Sequence, residues 1–136
     1  MAFPVIFDIQ KIYNSIEEGI TIPAILLFGE NIAYFQAKID TGAQVCLFQR
    51  EIGEQLDIDI ENGPRIKLSS LGGAIPAFGH SVTLHTLGLE FDSVVYFAAD
   101  YGLQRNLLGR DGWLQKVKLA IVDYDSTIYL SAYDQT

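Results

Sequence analysis

Short runs of Val, Ile, Leu and Phe, broken roughly every ten residues by Gly, Asn or Pro, set the rhythm of this chain. That spacing predicts an all-β sandwich or barrel. Residues 3–13 and 20–28 read as strands, Gly29-Glu30-Asn31 as a tight turn, and 32–39 as a returning strand. The hairpin delivers Asp40 to the mouth of a turn. Residues 45–48 predict another short strand. Within 49–59 the spacing of Gln49, Ile52 and Leu56 predicts a helix, which Gly53 weakens.

Residues 64–87 predict two β arms around a Gly-Gly tip. Ile66 and Leu68 alternate with Arg65, Lys67 and Ser69, and Val82 and Leu84 alternate with Ser81, Thr83 and His85. Residues 89–99 form a nearly continuous apolar run, the pattern of a strand buried on both faces. Leu107-Leu108-Gly109 is extended, and a short helix is expected to start near Arg110 and Asp111. Residues 117–122 and 127–130 predict a last hairpin around Asp123-Tyr124-Asp125-Ser126.

Composition agrees with a globular β protein. Hydrophobic residues make up 49% and charged residues 19% of 136 residues, a length that suits one domain over 1–136. The net charge of −8, with the basic residues scattered, speaks against nucleic acid as a partner and against anionic membrane surfaces. Cys46 is the only cysteine, which excludes an intramolecular disulfide and a cysteine-based zinc site. The first residues, MAFPVIFDIQ, lack the pattern of a secretory signal, and no apolar run approaches the ~18 residues of a membrane span. The expected setting is cytoplasmic.

The chemistry concentrates in AKIDTGAQVCLF, residues 37–48. A carboxylate closing an apolar strand is costly unless it is solvated, paired or chemically employed. Asp40-Thr41-Gly42 could be an ordinary strand-ending turn, since Asp and Gly are common turn residues. A metal site would need further donors nearby, and neither Asp-x-Asp-x-Asp nor His-x-x-x-His spacing is present. The third reading is a general base acting on water. One carboxylate cannot both accept a proton from water and supply one to an amide, whereas two that share a proton can do both. The triplet occurs once, so the second carboxylate would come from a twofold-related copy. Thr41 could then bond across to the partner's loop, and Gly42 would let backbone and substrate approach closely.

Asp40-Thr41-Gly42-Ala43 after an apolar strand, a Gly-rich β arm in mid-chain, and NLLGRDGW at 106–113 together resemble the retropepsin-like aspartic proteases, single-domain dimeric relatives of the pepsins. The resemblance implies an all-β closed barrel with a flap hairpin and one or two short helices. It makes Asp40 the catalytic aspartate, braced by Thr41 and Gly42 and followed by the small Ala43. It places the flap tip at Leu71, Gly72, Gly73 and Ala74. Leu107-Leu108-Gly109 would thread behind the catalytic loop, with Arg110 the family's arginine after that glycine. The implied activity is aspartic endopeptidase, with a homodimer acting on polypeptide and no metal, nucleotide or other cofactor.

Two departures bear on detail. Gln44 and Val45 stand where retroviral members carry acidic residues, and Asp-Thr-Gly-Ala-Gln is more similar to the cellular DNA-damage-inducible branch. Arg110 is therefore left to pair with Asp111, with a helix carboxylate, or with nothing. Pro76 removes a ladder donor from one flap arm. The dimer surface stays open between the terminal strands and another face. The rival reading is a catalytically silent dimeric peptide-binding module on the same fold.

The remaining polar candidates have structural readings. His80 and His85 are an odd number of residues apart on one strand, hence on opposite faces. His80 is expected half-buried and bonded, His85 solvated. Ser69-Ser70 lacks His and Asp partners in register, Cys46 reads as a buried thiol, and the Trp113 indole needs an acceptor.

Overall fold

The computed structural model describes residues 1–135. Its strands are β1 (Ile9–Ile12), β2 (Thr21–Phe28), β3 (Asn31–Ile39), β4 (Leu47–Phe48), β5 (Arg65–Ser70), β6 (Gly73–Thr86), β7 (Leu89–Ala98), β8 (Leu107–Leu108), β9 (Val117–Val122) and β10 (Thr127–Ala132). The α-helix α1 spans Arg50–Gln55, and 3-10 turns cover Ile60–Asn62, Leu114–Lys116 and Asp123–Asp125.

The larger sheet runs β2-β3-β8-β4-β7-β6-β5, and β6 returns to β2 through Ile25 opposite His85 and Leu27 opposite Thr83. That last pairing closes the barrel and leaves β5 outside it, attached only to β6. A smaller sheet, β1-β10-β9, lies alongside. One apolar cluster spans both sheets and includes Ile22, Leu26, Phe48, Phe97, Trp113 and Leu130. A smaller cluster, centred on Leu47, Ala77 and Ala98, sits beneath the β5–β6 hairpin with Leu68, Ile75 and Leu103 packed on it. Among the described residues no helix is long and apolar enough to cross a membrane.

The two hairpins flanking the site follow the alternation read from sequence. In β2 the inward Ile22, Ala24 and Leu26 are buried, and Gly29 turns the chain with φ of 58°. Elsewhere tertiary contacts redraw the expectation. The strand expected over 3–13 shrinks to β1, because the Asp8 N–H donates to the Ser131 hydroxyl rather than to a ladder carbonyl. The run 89–99 is not buried on both faces: Glu90, Asp92 and Val94 are exposed, and continuous burial begins only near the Phe97–Ala98 end of β7.

The helix in 49–59 forms only over α1, then stops at Asp57, whose φ is 59°. Gly53 is buried there against the barrel. A Cβ would lie 3.0 Å from Ile60 and 3.1 Å from Phe97, so the glycine lets the helix lie flat on the barrel. The helix expected to start near Arg110 and Asp111 is absent. Those two N–H groups donate to the carbonyls of Ala43 and Gln44, and only the 3-10 turn at Leu114–Lys116 follows. His85 is half-buried rather than solvated. His80 meets the Ile60 carbonyl through Nε2 at 2.8 Å, and the Trp113 indole donates to Thr86 Oγ1 at 3.0 Å.

Candidate active site

Asp40 stands immediately after β3, where the chain leaves the barrel. Its backbone N–H donates to Leu108 O at 3.0 Å, continuing the parallel pairing in which Lys38 faces Leu107 and Ile39 faces Leu108. On the other edge of β8, Leu107 faces Leu47 of β4. The two strands on either side of the Asp40 loop are thus not neighbours; β8 is wedged between them. A loop whose two ends are both bonded to one inserted strand has little freedom.

Within the loop the carboxylate is held by its own turn. Gly42 N–H donates to Asp40 Oδ1 at 2.9 Å, and Ala43 N–H donates to Asp40 O at 3.2 Å. This is the side-chain-to-backbone bond two residues on that Asp favours in turns. A Cβ on Gly42 would stand 3.3 Å from Asp40 Oδ1, tight against the carboxylate. Asp40 is half-buried, while Thr41 and Gly42 are open to solvent. The strand-ending turn is therefore formed, and its hydrogen bond to the carboxylate is open to solvent.

Behind the loop, Gly109 is buried where no side chain fits. A Cβ there would come within 2.1 Å of Val45 O and 2.8 Å of Ala43 O. Arg110 N–H donates to Ala43 O at 2.9 Å, Asp111 N–H to Gln44 O at 2.8 Å, and Gln44 Nε2 to Asp111 Oδ2 at 2.9 Å. Of the three alternatives for the Arg110 side chain, the last holds: it is exposed and forms no ion pair among the described residues. Cys46 is fully buried next to the loop, and burial pushes its thiol up to about 12.

Elsewhere in the large sheet, β5 and β6 form a hairpin whose register runs from Arg65 opposite Phe78 to Ser70 opposite Gly73. The tip is Leu71-Gly72, with Gly73 (φ 120°) and Ala74 opening β6; all four are exposed. From Gly73 to Pro76, β6 pairs with β5 alone, and β7 joins only at Ala77. The Pro76 carbonyl, free of any ladder role on that side, accepts Ala99 N–H at 2.9 Å.

Three residues whose contacts the sequence did not reveal tie the surrounding segments together. Asn106 is buried; its Oδ1 accepts Gln49 N–H at 2.9 Å and its carbonyl accepts Lys38 N–H at 2.7 Å, tying β3 to the end of β4. Gln49 does not join the helix face but donates through Nε2 to Leu103 O at 2.8 Å. Arg50, 15% exposed, forks onto Glu61 at 2.6 and 2.7 Å and reaches Glu54 Oε2 at 3.2 Å. The Arg50–Glu54 spacing of four on a helix was the one legible signal for it.

No family model matches the chain, and no curated protein matches it. Solved structures do. The chain is similar to a retropepsin-like aspartic protease from Rickettsia conorii, with a TM-score of 0.66 and 20% identity, over 90% of this chain and 97% of that one. It is also similar to EIAV protease in complex with the inhibitor HBY-793, with a TM-score of 0.54 and 20% identity, over 69% of this chain and 84% of that one. A closed β barrel, an aspartate loop wedged by an inserted strand and a projecting hairpin are together the retropepsin-like fold, and this chain has it.

Proposed function

We propose that this chain is the protomer of a homodimeric aspartic endopeptidase, with Asp40 from each copy in one shared site. The observation that carries the reading is the Asp40 loop itself: a carboxylate held by Gly42 N–H, on a loop clamped by β8, in a fold that also projects the β5–β6 hairpin. A strand-ending turn by itself needs no such clamp.

Two like charges in close contact cannot both ionise, so a pair of Asp40 carboxylates would hold one proton between them. The ionised one takes a proton from a bound water as the water oxygen bonds to the scissile carbonyl carbon. The protonated one gives its proton to the carbonyl oxygen, forming a gem-diol. Collapse breaks the C–N bond as the leaving nitrogen is protonated. Thr41 and Gly42, exposed beside Asp40, would meet the partner's loop, and extended peptide would pair its backbone with the β5–β6 arms. Leu71, Gly72, Gly73 and Ala74 would close over it; Leu107, Leu108, Gly109 and the Arg110 backbone would hold the loop.

The small sheet supports a dimer. The outer edges of β1 and β9 are unpaired among the described residues, and Ile12, Ile121 and Val122 are exposed there. Unprotected edges of this kind invite pairing with another chain. β10 is bonded on both sides within its own protomer, so a partner would add at β1 or β9.

The test compares wild type with Asp40→Asn against a mixed peptide library at several protein concentrations, from about pH 3.5 to 7.5, a window around carboxylate titration. Cleavage lost in the variant and rising faster than linearly with concentration is the expected result. Activity surviving in Asp40→Asn would sink the assignment of that residue. A folded dimer that binds peptides without cutting them would favour the silent binding module instead.

A further inference from the structure

The Arg50 side chain lies outside the Asp40 loop and outside the main core, yet it joins two separate segments to its own helix. Its Nη1 and Nη2 donate to Glu61, Nη1 also donates to Ala99 O at 2.9 Å, and its Cζ stands 5.5 Å from the Tyr101 ring centroid. Tyr101 in turn donates its hydroxyl to Glu54, the same carboxylate that Arg50 Nε reaches. The planar fork suits this. A lysine ammonium could supply one of these contacts as a point charge but not the bidentate grip.

The segments held are the feet of the β5–β6 hairpin. Glu61 belongs to the 3-10 turn Ile60–Asn62 that leads into β5, and that turn is joined to β6 by the contact of Ile60 O with His80 and, just after it, by Gly79 N–H donating to Pro64 O at 2.9 Å. Ala99 carries the second tie. Its carbonyl accepts from Arg50 while its own N–H donates to Pro76 O, so Arg50 reaches the β6 arm through a single residue. Tyr101 lies in the loop over 99–105, which faces Ala74 and Pro76 across a cavity of about 210 Å³.

We propose that Arg50 is a positioning residue for this hairpin, fixing both of its feet and the 99–105 loop opposite, and thereby setting the height of the Leu71-Gly72 tip and the width of the cavity beneath it. The observations that carry this are the fork onto Glu61 and the Arg50–Ala99–Pro76 relay. The apolar cluster under the hairpin is small, with three buried members, so polar ties weigh more there than in the main core. The consequence for peptide rests on the aspartic peptidase reading: the 210 Å³ cavity would take one substrate side chain, and its opposing walls are the two segments Arg50 holds in register.

The test reads the hairpin directly and separately from cleavage. Amide hydrogen exchange of residues 66–78 and 99–105 is followed in full-length Asp40→Asn protein, alone and combined with Arg50→Met, Arg50→Lys or Glu61→Gln. Exchange in both segments should rise about ten-fold or more in Arg50→Met, as loss of charge-assisted hydrogen bonds predicts. Arg50→Lys should give most of that rise, and residues 21–39 should not change. If Arg50→Met does not fold, Glu61→Gln removes the same fork from a solvent-facing carboxylate and is read instead. Unchanged hairpin exchange, or acceleration spread equally over residues 21–39, overturns the proposal. In protein with Asp40 intact, Glu61→Gln should raise KM several-fold while leaving kcat nearly unchanged. Because exchange is read in a variant that cuts nothing, failure of the peptidase reading and failure of the hairpin assignment give different results.

Discussion

The Asp40 loop and the β5–β6 hairpin are built on opposite principles. The loop is short, backed by β8, and tied through backbone groups at Asp40, Ala43 and Gln44 and through the side chains of Asp40 and Gln44. The hairpin is long, projects past the barrel, and carries its tip residues in solvent. The difference teaches where precision resides. On the proposed function, a carboxylate that meets its twin needs a frame that does not move, and a cover that admits a peptide cannot have one.

Glycine substitutions should expose that contrast most strongly. At Gly109 a methyl group meets two backbone carbonyls that cannot step aside. Gly109→Ala should cost about 3 kcal/mol or more in urea unfolding, or prevent folding. Gly72→Ala, with nothing within 4 Å of the new Cβ, should stay within about 0.5 kcal/mol. Equal costs at the two positions would refute the division into frame and cover.

A smaller effect should follow at the edge of the frame. Asn106→Ala strands the Gln49 N–H in a largely buried place. It should destabilise by roughly 1–3 kcal/mol and loosen Asp40 through the junction of β3 and β8. Urea unfolding gives the first number, and exchange of the Asp40 and Lys38 amides tests the second.

The smallest effect concerns pH at the hairpin's feet. Hydrogen bonding to Arg50 lowers the Glu61 carboxyl below its ordinary range. A depressed folded value stabilises above the unfolded carboxylate range, near pH 4.3, and that contribution fades as pH falls through the folded value. The Tm difference between wild type and Glu61→Gln should therefore be steady near neutrality and shrink in acid. A difference that grew on acidification would contradict the sign. High salt should narrow it as well, since Glu61 is largely solvent-exposed.

Much of this molecule was legible along the chain because much of it is local. The 21–39 hairpin announces itself by alternation and by Gly29; the flap arms by Ile66 and Leu68 against Arg65 and Lys67. Asp40-Thr41-Gly42 and Leu107-Leu108-Gly109 stood out as motifs, but the reason Gly109 must be glycine is Val45, more than sixty residues away. Helix expectations failed where a distant acceptor outbid the helical one, as at Arg110 and Asp111, whose N–H groups serve the Asp40 loop.

Arg50 shows the limit most clearly. In sequence it is an exposed-looking arginine opening a short helix, with Glu54 one turn on. Its fork onto Glu61 and its reach to Ala99 exist only once the barrel closes. Side-chain period and turn chemistry act over a few residues, so the sequence by itself determined the β class, the hairpins and the turn at Asp40. Closure of β6 onto β2, insertion of β8 between β3 and β4, and the clamping of the hairpin by Arg50 belong to the tertiary structure, because each joins groups that only long-range packing brings within hydrogen-bonding distance.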